Sequence, residues 1–194
     1  MRSSSEIFKG AVSAANESLR SIVDLAEPVA KAGELITECL RTSHKILVCG
    51  NGGSASDAAH FATEFVVRFT HDRPAYPAIA LTSDGGLLTA AGNDYGFEQI
   101  FARQVAAYGV EKDLLICLTT SGKSENVKRA LAEAKTRKLK TIALLGRDGG
   151  ETAGMADVDL LVKNESTARI QEMHKLLLHV LCEMAEEHLA HPPG

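Results

Sequence analysis

Two pairs of polar side chains have a spacing that would let them act together on one metal ion or one substrate. His60 and Glu64 are four residues apart in a segment of helical periodicity, so they lie on one face of a helix. Gln171 and His179, eight residues apart near the C-terminus, again fall on roughly one face. The pattern alone does not select these residues, because His179 and Glu183 repeat the first spacing and most such pairs are exposed or structural.

The other histidines are expected to be surface or packing residues: His44, His71, His174, His188 and His191. The cysteines are dispersed without a C-x-x-C pair, so neither a zinc knuckle nor a disulfide framework is indicated. We expect all of them to be reduced, mostly buried and without a functional role: Cys39, Cys49, Cys117 and Cys182.

The first of two glycine and hydroxyl loops is segment 49–57, CGNGGSASD, which leads from a strand-like run into a helical one. Its glycines would let the backbone approach a ligand, and Ser54 with Asp57 resembles a capping box. A capped turn is the simpler alternative, but three glycines and an Asn favour ligand contact. The segment does not match G-x-G-x-x-G, since Ala55 or Ser56 stands where the third glycine is needed.

The second loop, segment 119–124 with the sequence TTSGKS, follows an apolar run and precedes a helical segment. Hydroxyls and free backbone N–H groups at the start of a helix suit a phosphate dianion. A nucleotide P-loop is excluded because Cys117 occupies the position of its first glycine. Plain N-capping needs one hydroxyl, so the four hydroxyls here favour phosphate.

The charge balance and the apolar runs exclude several classes of protein. The net charge is -4, and no cluster of Lys and Arg suggests a nucleic-acid surface. The apolar runs are far shorter than the roughly 20 residues that span a bilayer. The N-terminal segment lacks the apolar stretch of a secretion signal and already carries Glu6. We therefore expect a cytoplasmic protein that binds neither nucleic acid nor membranes.

Short apolar runs alternate with segments of helical period along most of the chain. The predicted strands cover residues 45–49, 78–81, 114–119, 141–145 and 158–162, and the helices between them 55–69, 87–91, 97–108 and 125–138. Because the strands lack polar alternation and are separated by helices, they predict a parallel sheet covered on both faces. In such sheets ligands bind at the carboxyl ends of the strands, where both loops lie.

Helices are predicted at both ends of the chain, over residues 5–26, 28–40 and 167–189. The N-terminal pair has too little core of its own, so it should pack on the rest of the domain or, as we favour, on another subunit. The prediction is one doubly wound α/β domain over residues 1–194. It comprises a helical extension over 1–42 and the α/β core with the C-terminal helix over 43–190.

Several segments together resemble the sugar isomerase (SIS) domain and its phosphoheptose isomerase branch. They are CGNGGS and TTSGKS, with GNDYGFEQIFARQV between them and ARIQEMH after them. The resemblance runs from about Ser43 to the end of the last helix. It implies the flavodoxin-like SIS fold with a five-stranded parallel sheet.

The resemblance also implies one Zn²⁺ per subunit, bound by His60, Glu64, Gln171 and His179. Imidazole nitrogens and a carboxylate are ordinary zinc ligands, whereas an amide oxygen is a weaker one. Glu64 and His179 are implied to move the protons of an aldose–ketose isomerisation through an enediol.

Substrate contacts are carried over from the family residue by residue. They are Asn51, Gly52, Gly53, Ser54, Asn93, Asp94, Thr119, Thr120, Ser121, Ser124 and Gln171. Without the family, Asn93 and Asp94 would pass for a turn. Two positions depart from the family pattern: a strand-end serine is Thr119, and an acidic residue of some members is Ala168. The first keeps the hydroxyl, while the second leaves part of the sugar recognition unsupported.

The implied reaction converts D-sedoheptulose 7-phosphate to D-glycero-D-manno-heptose 7-phosphate, the first step towards nucleotide-activated heptose for lipopolysaccharide or another glycan. The family also implies a homotetramer with shared active sites. One alternative is a non-catalytic regulator resembling the replication initiator-associating protein, but that relative has lost the metal set that this chain keeps. Another is an isomerase of a different sugar phosphate, such as arabinose 5-phosphate, although those enzymes usually carry regulatory modules for which this chain leaves no room.

Overall fold

The computed structural model describes residues 1–190, and helices and strands alternate through most of that range. The helices are α1 Ser4–Ser21, α2 Ala26–Arg41, α3 Gly53–Val66, α4 Gly85–Tyr95, α5 Ile100–Tyr108, α6 Glu125–Thr136 and α7 Thr167–Ala190. The strands are β1 Ile46–Gly50, β2 Ala78–Ala80, β3 Leu114–Thr119, β4 Lys140–Gly146 and β5 Val158–Val162. Short 3-10 turns lie at Val23–Leu25, Phe97–Gln99 and Gly150–Thr152.

The five strands form one parallel sheet in the order β2-β1-β3-β4-β5. β1 and β3 are direct neighbours, and Cys49 is paired with Cys117 close to their carboxyl ends. The segments that leave these two strands therefore start side by side. This adjacency brings the two glycine and hydroxyl loops together, although about 70 residues separate them in the sequence.

Each face of the sheet carries its own apolar cluster and its own layer of helices. On one face the side chains of β1, β3, β4 and β5 pack against α2, α3 and α7, with Ile36, Phe61 and Leu178 fully buried. On the other face α4, α5 and α6 supply a second cluster that includes Phe101 and Leu131. Burial on both faces explains why the strands read as continuous apolar runs. It also places α3 and α7 in the same layer.

The predicted fold class is confirmed: the sheet is parallel, five-stranded and covered by helices on both faces, with helical additions at both ends. Strand positions agree to within a residue or two of the predicted ones. The helix predicted over 87–91 is longer in the structure, because α4 runs from Gly85 to Tyr95 and includes Asn93 and Asp94. The boundaries of a single domain over 1–194 stay a prediction, and His191 lies outside the described residues.

The two N-terminal helices differ in how they are packed. In α2 the side chains of Val29, Ala32 and Ile36 belong to the core of this chain, so α2 is packed without a second subunit. In α1 only Ser18 is buried, and apolar side chains such as Phe8 and Val12 are exposed. The expected packing on another subunit therefore applies to α1 alone.

All four cysteines are free and buried, as the sequence predicts. Sγ of Cys49 lies 3.4 Å from Sγ of Cys117 across the neighbouring strands. No helix within residues 1–190 has the length and apolar character needed to cross a membrane.

Candidate active site

Helices α3 and α7 bring two histidines into direct contact. Nε2 of His60 lies 3.1 Å from Nε2 of His179, and their ring centroids are 5.3 Å apart with the rings inclined by 53°. Oε1 of Glu64, one turn further along α3, lies 3.2 Å from the same Nε2 of His60. Three of the four predicted metal ligands therefore meet, and His60 contacts both of the others.

This arrangement of lone pairs needs a shared proton or a cation. A carboxylate oxygen and two imidazole nitrogens all present electron pairs unless one nitrogen carries a proton. A single proton on Nε2 of His60 or a cation beside it would turn the repulsion into attraction. The side chain of His60 is 41% exposed and that of Glu64 17%, so the cluster can be reached from solvent.

The cluster fits a zinc ion in its donor types, and the two separations at His60 are compatible with one. Ligand atoms about 2.0–2.2 Å from a tetrahedral Zn²⁺ lie about 3.3 Å from one another. The separations of 3.1 and 3.2 Å around His60 are close to that value. Within residues 1–190 no group of three His, Cys, Asp or Glu side chains is arranged to hold a metal ion, and in this cluster the short distances all involve His60. A bound ion would therefore draw the outer two ligands together.

Gln171, the fourth predicted ligand, lies against the first loop. A Cβ added to Gly53 would collide with its side-chain amide, so glycine at this position gives Gln171 the room it occupies. The amide is thus held at the start of α3, whereas His60 and Glu64 lie about two and about three turns later in the same helix. Its assignments to metal and substrate stay predictions.

The predicted capping box at the start of α3 is wrong. The helix begins after Gly52, whose φ of 57° turns the chain, and no side chain caps it. Asp57 instead forms an ion pair with Nζ of Lys175 at 2.7 Å, which joins α3 to α7. The carboxylate is drawn to a charged partner on the neighbouring helix, which a local sequence pattern cannot show.

The second loop folds into a compact turn before α6. The buried hydroxyl of Thr119 accepts a hydrogen bond from the Gly122 amide and lies 3.3 Å from the Ser124 hydroxyl. Gly122 has a φ of 63° and packs so closely on Gly149 that no Cβ would fit. Ser124 is the N-cap residue of α6, yet its side chain makes no capping bond. Its hydroxyl and the first N–H groups of α6 are therefore placed to receive an anion.

A pair of amides joins the two loops, and one of them was not predicted. Nδ2 of Asn51 donates to Oδ1 of Asn126, and Nδ2 of Asn126 donates back to Oδ1 of Asn51, both at 2.9 Å. Asn126 lies in the first turn of α6 and is 2% exposed. The side chain of Asn51, predicted to touch substrate, is thus also a structural link. In the sequence, the signs of this pairing are that Asn51 directly follows a strand and that Asn126 lies at the start of a helical segment after another strand.

Two predicted substrate positions lie apart from the histidine pair. Asn93 and Asp94 are exposed at the end of α4, on the other face of the sheet, where Asn93 donates to Asp94 at 2.8 Å. Asp94 lines a surface cavity of 290 Å³ together with Arg103. Ala168 is exposed in the first turn of α7 and supplies no carboxylate there.

His174 shows how α7 is fixed to the sheet. The ring is fully buried, and its Nε2 lies 3.0 Å from the carbonyl oxygen of Leu145 in β4. Burial lowers the pKa of this imidazole, so it is neutral at physiological pH and donates to the carbonyl. This agrees with its predicted role as a packing residue.

The fold and the sites at the carboxyl ends of the strands define a class of protein. Residues 12–146 match the SIS domain family. Solved phosphoheptose isomerases superimpose closely on the chain. The enzyme of Neisseria gonorrhoeae has a TM-score of 0.91 at 42% identity, with 95% of this chain and all of that one covered. The enzyme of Francisella tularensis has a TM-score of 0.92 at 39% identity, with 96% and 100% covered.

Sequence comparison narrows the assignment within that class. The phosphoheptose isomerase of Helicobacter pylori is 48% identical over 172 residues, which cover 89% of this chain and 90% of that protein. The chain belongs to the phosphoheptose isomerase family of SIS-domain proteins. The resemblance inferred from the two loops and the ARIQEMH segment is confirmed.

The amide pair yields a first prediction. In Asn126→Ala the Asn51 amide loses both of its partners in a partly buried position, so the free energy of unfolding should fall by about 1–3 kcal/mol. Urea denaturation followed by circular dichroism measures this change. Asn16→Ala, on the exposed side of α1, is the control and should change the value by less than about 0.5 kcal/mol. Equal small changes in both variants would show that the amide pair does not stabilise the loops.

Proposed function

We propose that this isomerase converts D-sedoheptulose 7-phosphate to D-glycero-D-manno-heptose 7-phosphate. The observation that carries the proposal is the contact of His60 with both Glu64 and His179, in a chain whose second loop presents hydroxyl and N–H groups suited to phosphate. The family relationship supports the substrate class. The exposed hydroxyl and amide groups at the start of α6 would hold the phosphate, and the histidine cluster would face the other end of the sugar.

The reaction moves one hydrogen between neighbouring carbons. A base removes a proton from C1 of the ketose, the C1–C2 unit becomes an enediol, and a proton is returned to C2 while the hydroxyl proton passes from O1 to O2. The two transfers need groups at either end of this two-carbon unit. We assign the two transfers to Glu64 and His179, each of which contacts Nε2 of His60.

The phosphate lies five carbons away from the reacting unit, so its binding can orient the sugar without touching the reaction. Anchoring a remote group lowers the entropy that must be lost before proton transfer. Thr120, Ser121 and Ser124 have partly exposed or uncommitted hydroxyls for this purpose, whereas Thr119 is buried and holds the turn. The loop thus acts in positioning and the two helices in chemistry.

We also propose that the cluster binds one Zn²⁺ per chain through His60, Glu64 and His179, with Gln171 as a weaker fourth ligand. A zinc ion at this position would polarise the substrate carbonyl and stabilise negative charge on oxygen. The close approach of three electron-pair donors supports the proposal.

The chain is further proposed to act in the cytoplasm as a homotetramer with shared active sites. Four free, buried thiols suit a reducing compartment. The exposed apolar face of α1, with Phe8 and Val12, offers a surface for a second copy. The molecular mass in solution tests the assembly, and a monomer at assay concentration would contradict it.

The first functional prediction concerns the substrate. Purified protein offered a panel of sugar phosphates should convert sedoheptulose 7-phosphate and give the heptose 7-phosphate, identified by NMR of the product. Arabinose 5-phosphate and ribulose 5-phosphate serve as the comparison pair. Faster turnover of that pair would assign the chain to a different sugar phosphate, and no turnover of any member would favour a regulator.

The second functional prediction concerns proton transfer. Glu64→Gln and His179→Ala should each lower kcat by at least about 100-fold, since each removes a group that moves a proton. The matched control is Glu183→Gln, because this exposed residue has the same spacing from His179 as Glu64 has from His60. Its kcat should stay close to that of the wild type. A near-normal rate in either of the first two variants would reassign that residue's role.

The third functional prediction concerns the metal. Dialysis against a chelator should remove about one zinc per chain and reduce turnover, and added Zn²⁺ should restore both, as expected for an open catalytic site. Metal content measured by elemental analysis follows the ion independently of activity. His60→Ala should lower the zinc content of the purified protein. Full activity of metal-free protein would remove the ion from the reaction.

A further inference from the structure

A second network joins α7 to the segment that leaves α3. Glu186 lies two turns after His179 on α7 and is 6% exposed. Its carboxylate accepts backbone hydrogen bonds from Phe69, Thr70 and His71 at 3.1, 3.0 and 3.2 Å. The Thr70 hydroxyl donates a further bond at 2.6 Å. We call residues 67–73 the exit loop; three of its successive amides point at this one side chain.

The carboxylate is ionised at neutral pH. Burial raises the pKa of Glu186, but the hydrogen bonds from Thr70, Phe69 and His71 outweigh that effect and hold the pKa at about 2. A charged acceptor strengthens each of these hydrogen bonds. The exit loop has no regular secondary structure, yet these hydrogen bonds hold it firmly against α7.

Arg73 extends the network to the end of α3. Its Nε donates to Glu186 at 3.1 Å, Nη1 donates to the carbonyl of Phe65 at 2.9 Å, and Nη2 donates to the carbonyl of Glu64 at 2.6 Å. The last carbonyls of a helix have no partner within the helix. Arg73 supplies that partner for the residue that also provides the carboxylate of the histidine cluster.

The exit loop also reaches the second member of the acid–base pair. The ring of Phe69 packs on the imidazole of His179 with 5.6 Å between centroids and 39° between ring planes. Both its neighbour Thr70 and its own amide are bound by Glu186. A shift of the exit loop would therefore change the surroundings of His179.

This network and the Asp57–Lys175 ion pair lie on opposite sides of the histidine cluster. Asp57 and Lys175 come before His60 and His179 in their helices, whereas Arg73 and Glu186 come after them. The two helices are thus tied together on both sides of the site. Only the second tie contacts the backbone of Glu64 and, through Phe69, the ring of His179.

We propose that Glu186 and Arg73 are positioning residues for the acid–base pair, Arg73 by holding the end of α3 at Glu64 and Glu186 by holding Phe69 against His179. Only the expected change in kcat depends on the proposed function; the positions of Glu64 and His179 do not. Neither residue contacts the phosphate loop, so substrate binding through that loop is not affected.

The test uses Glu186→Gln in the full-length protein. The substitution keeps the size of the side chain, removes its charge and turns an NH₂ group towards the exit-loop amides. With sedoheptulose 7-phosphate, kcat should fall by about 10- to 100-fold while KM stays close to that of the wild type. The kcat of Arg73→Lys should fall as well, because an ammonium group cannot bind both carbonyls and the carboxylate at once. The matched control Glu187→Gln, exposed and next in sequence, should keep the wild-type kcat.

A second measurement does not depend on activity. The ring of Phe69 shifts the NMR signal of the His179 imidazole, which can be observed with ¹³C-labelled histidine and assigned by its loss in His179→Ala. Phe69→Leu gives the shift expected when the ring is absent. In Glu186→Gln the His179 signal should move towards that position, and in Glu187→Gln it should not move.

The outcomes separate this proposal from the proposed function. No turnover of sedoheptulose 7-phosphate by the wild type would overturn the function, and the His179 signal would still decide the positioning role. A His179 signal that stays at its wild-type position in Glu186→Gln, while Phe69→Leu moves it, would overturn the proposal. If Glu186→Gln lowers both kcat and thermal stability while the His179 signal does not move, Glu186 likewise has a purely structural role.

Discussion

The site depends on the packing of α3 beside α7 on one face of the parallel sheet. This packing brings Nε2 of His60 to 3.1 Å from Nε2 of His179, although 119 residues separate them in the chain. Two imidazoles at that distance repel unless a proton or a cation lies between them. The structure therefore needs firm support for both helices, which the Asp57–Lys175 ion pair and the bonds of Glu186 provide on either side.

A second constraint is the adjacency of β1 and β3. Parallel strands deliver their carboxyl ends to one edge of the sheet, so the loops that follow them meet although each is built locally. The paired amides of Asn51 and Asn126 then lock the first loop to the start of α6. The result is one edge where the loop proposed to hold phosphate meets the start of α3, the helix that carries His60 and Glu64. A long, linear sugar phosphate suits such a separation of anchoring from chemistry.

Local patterns predicted the secondary structure well and the contacts poorly. The apolar runs located all five strands because burial on both faces leaves no polar alternation to obscure them. The capping box at Ser54 and Asp57 was wrong because Lys175, distant in sequence, competes for the carboxylate. The helix predicted over 87–91 was too short because α4 continues through Asn93 and Asp94, which are weak helix formers. Asn126, Arg73 and Glu186 went unnoticed because each acts through partners far along the chain.

By itself, the sequence determined the class of fold, the position of the two glycine and hydroxyl loops and the family, since hydrophobic period, glycine placement and extended motifs are properties of neighbouring residues. It also supplied candidate ligands, but the equal spacing of His60–Glu64 and His179–Glu183 left the choice to the family resemblance. Only the tertiary structure decided that Glu64 contacts His60, that Gln171 lies against Gly53, and that a buried carboxylate supports the exit loop. Such contacts depend on which helices share a layer, and that is set by the order of the strands, which no local pattern contains.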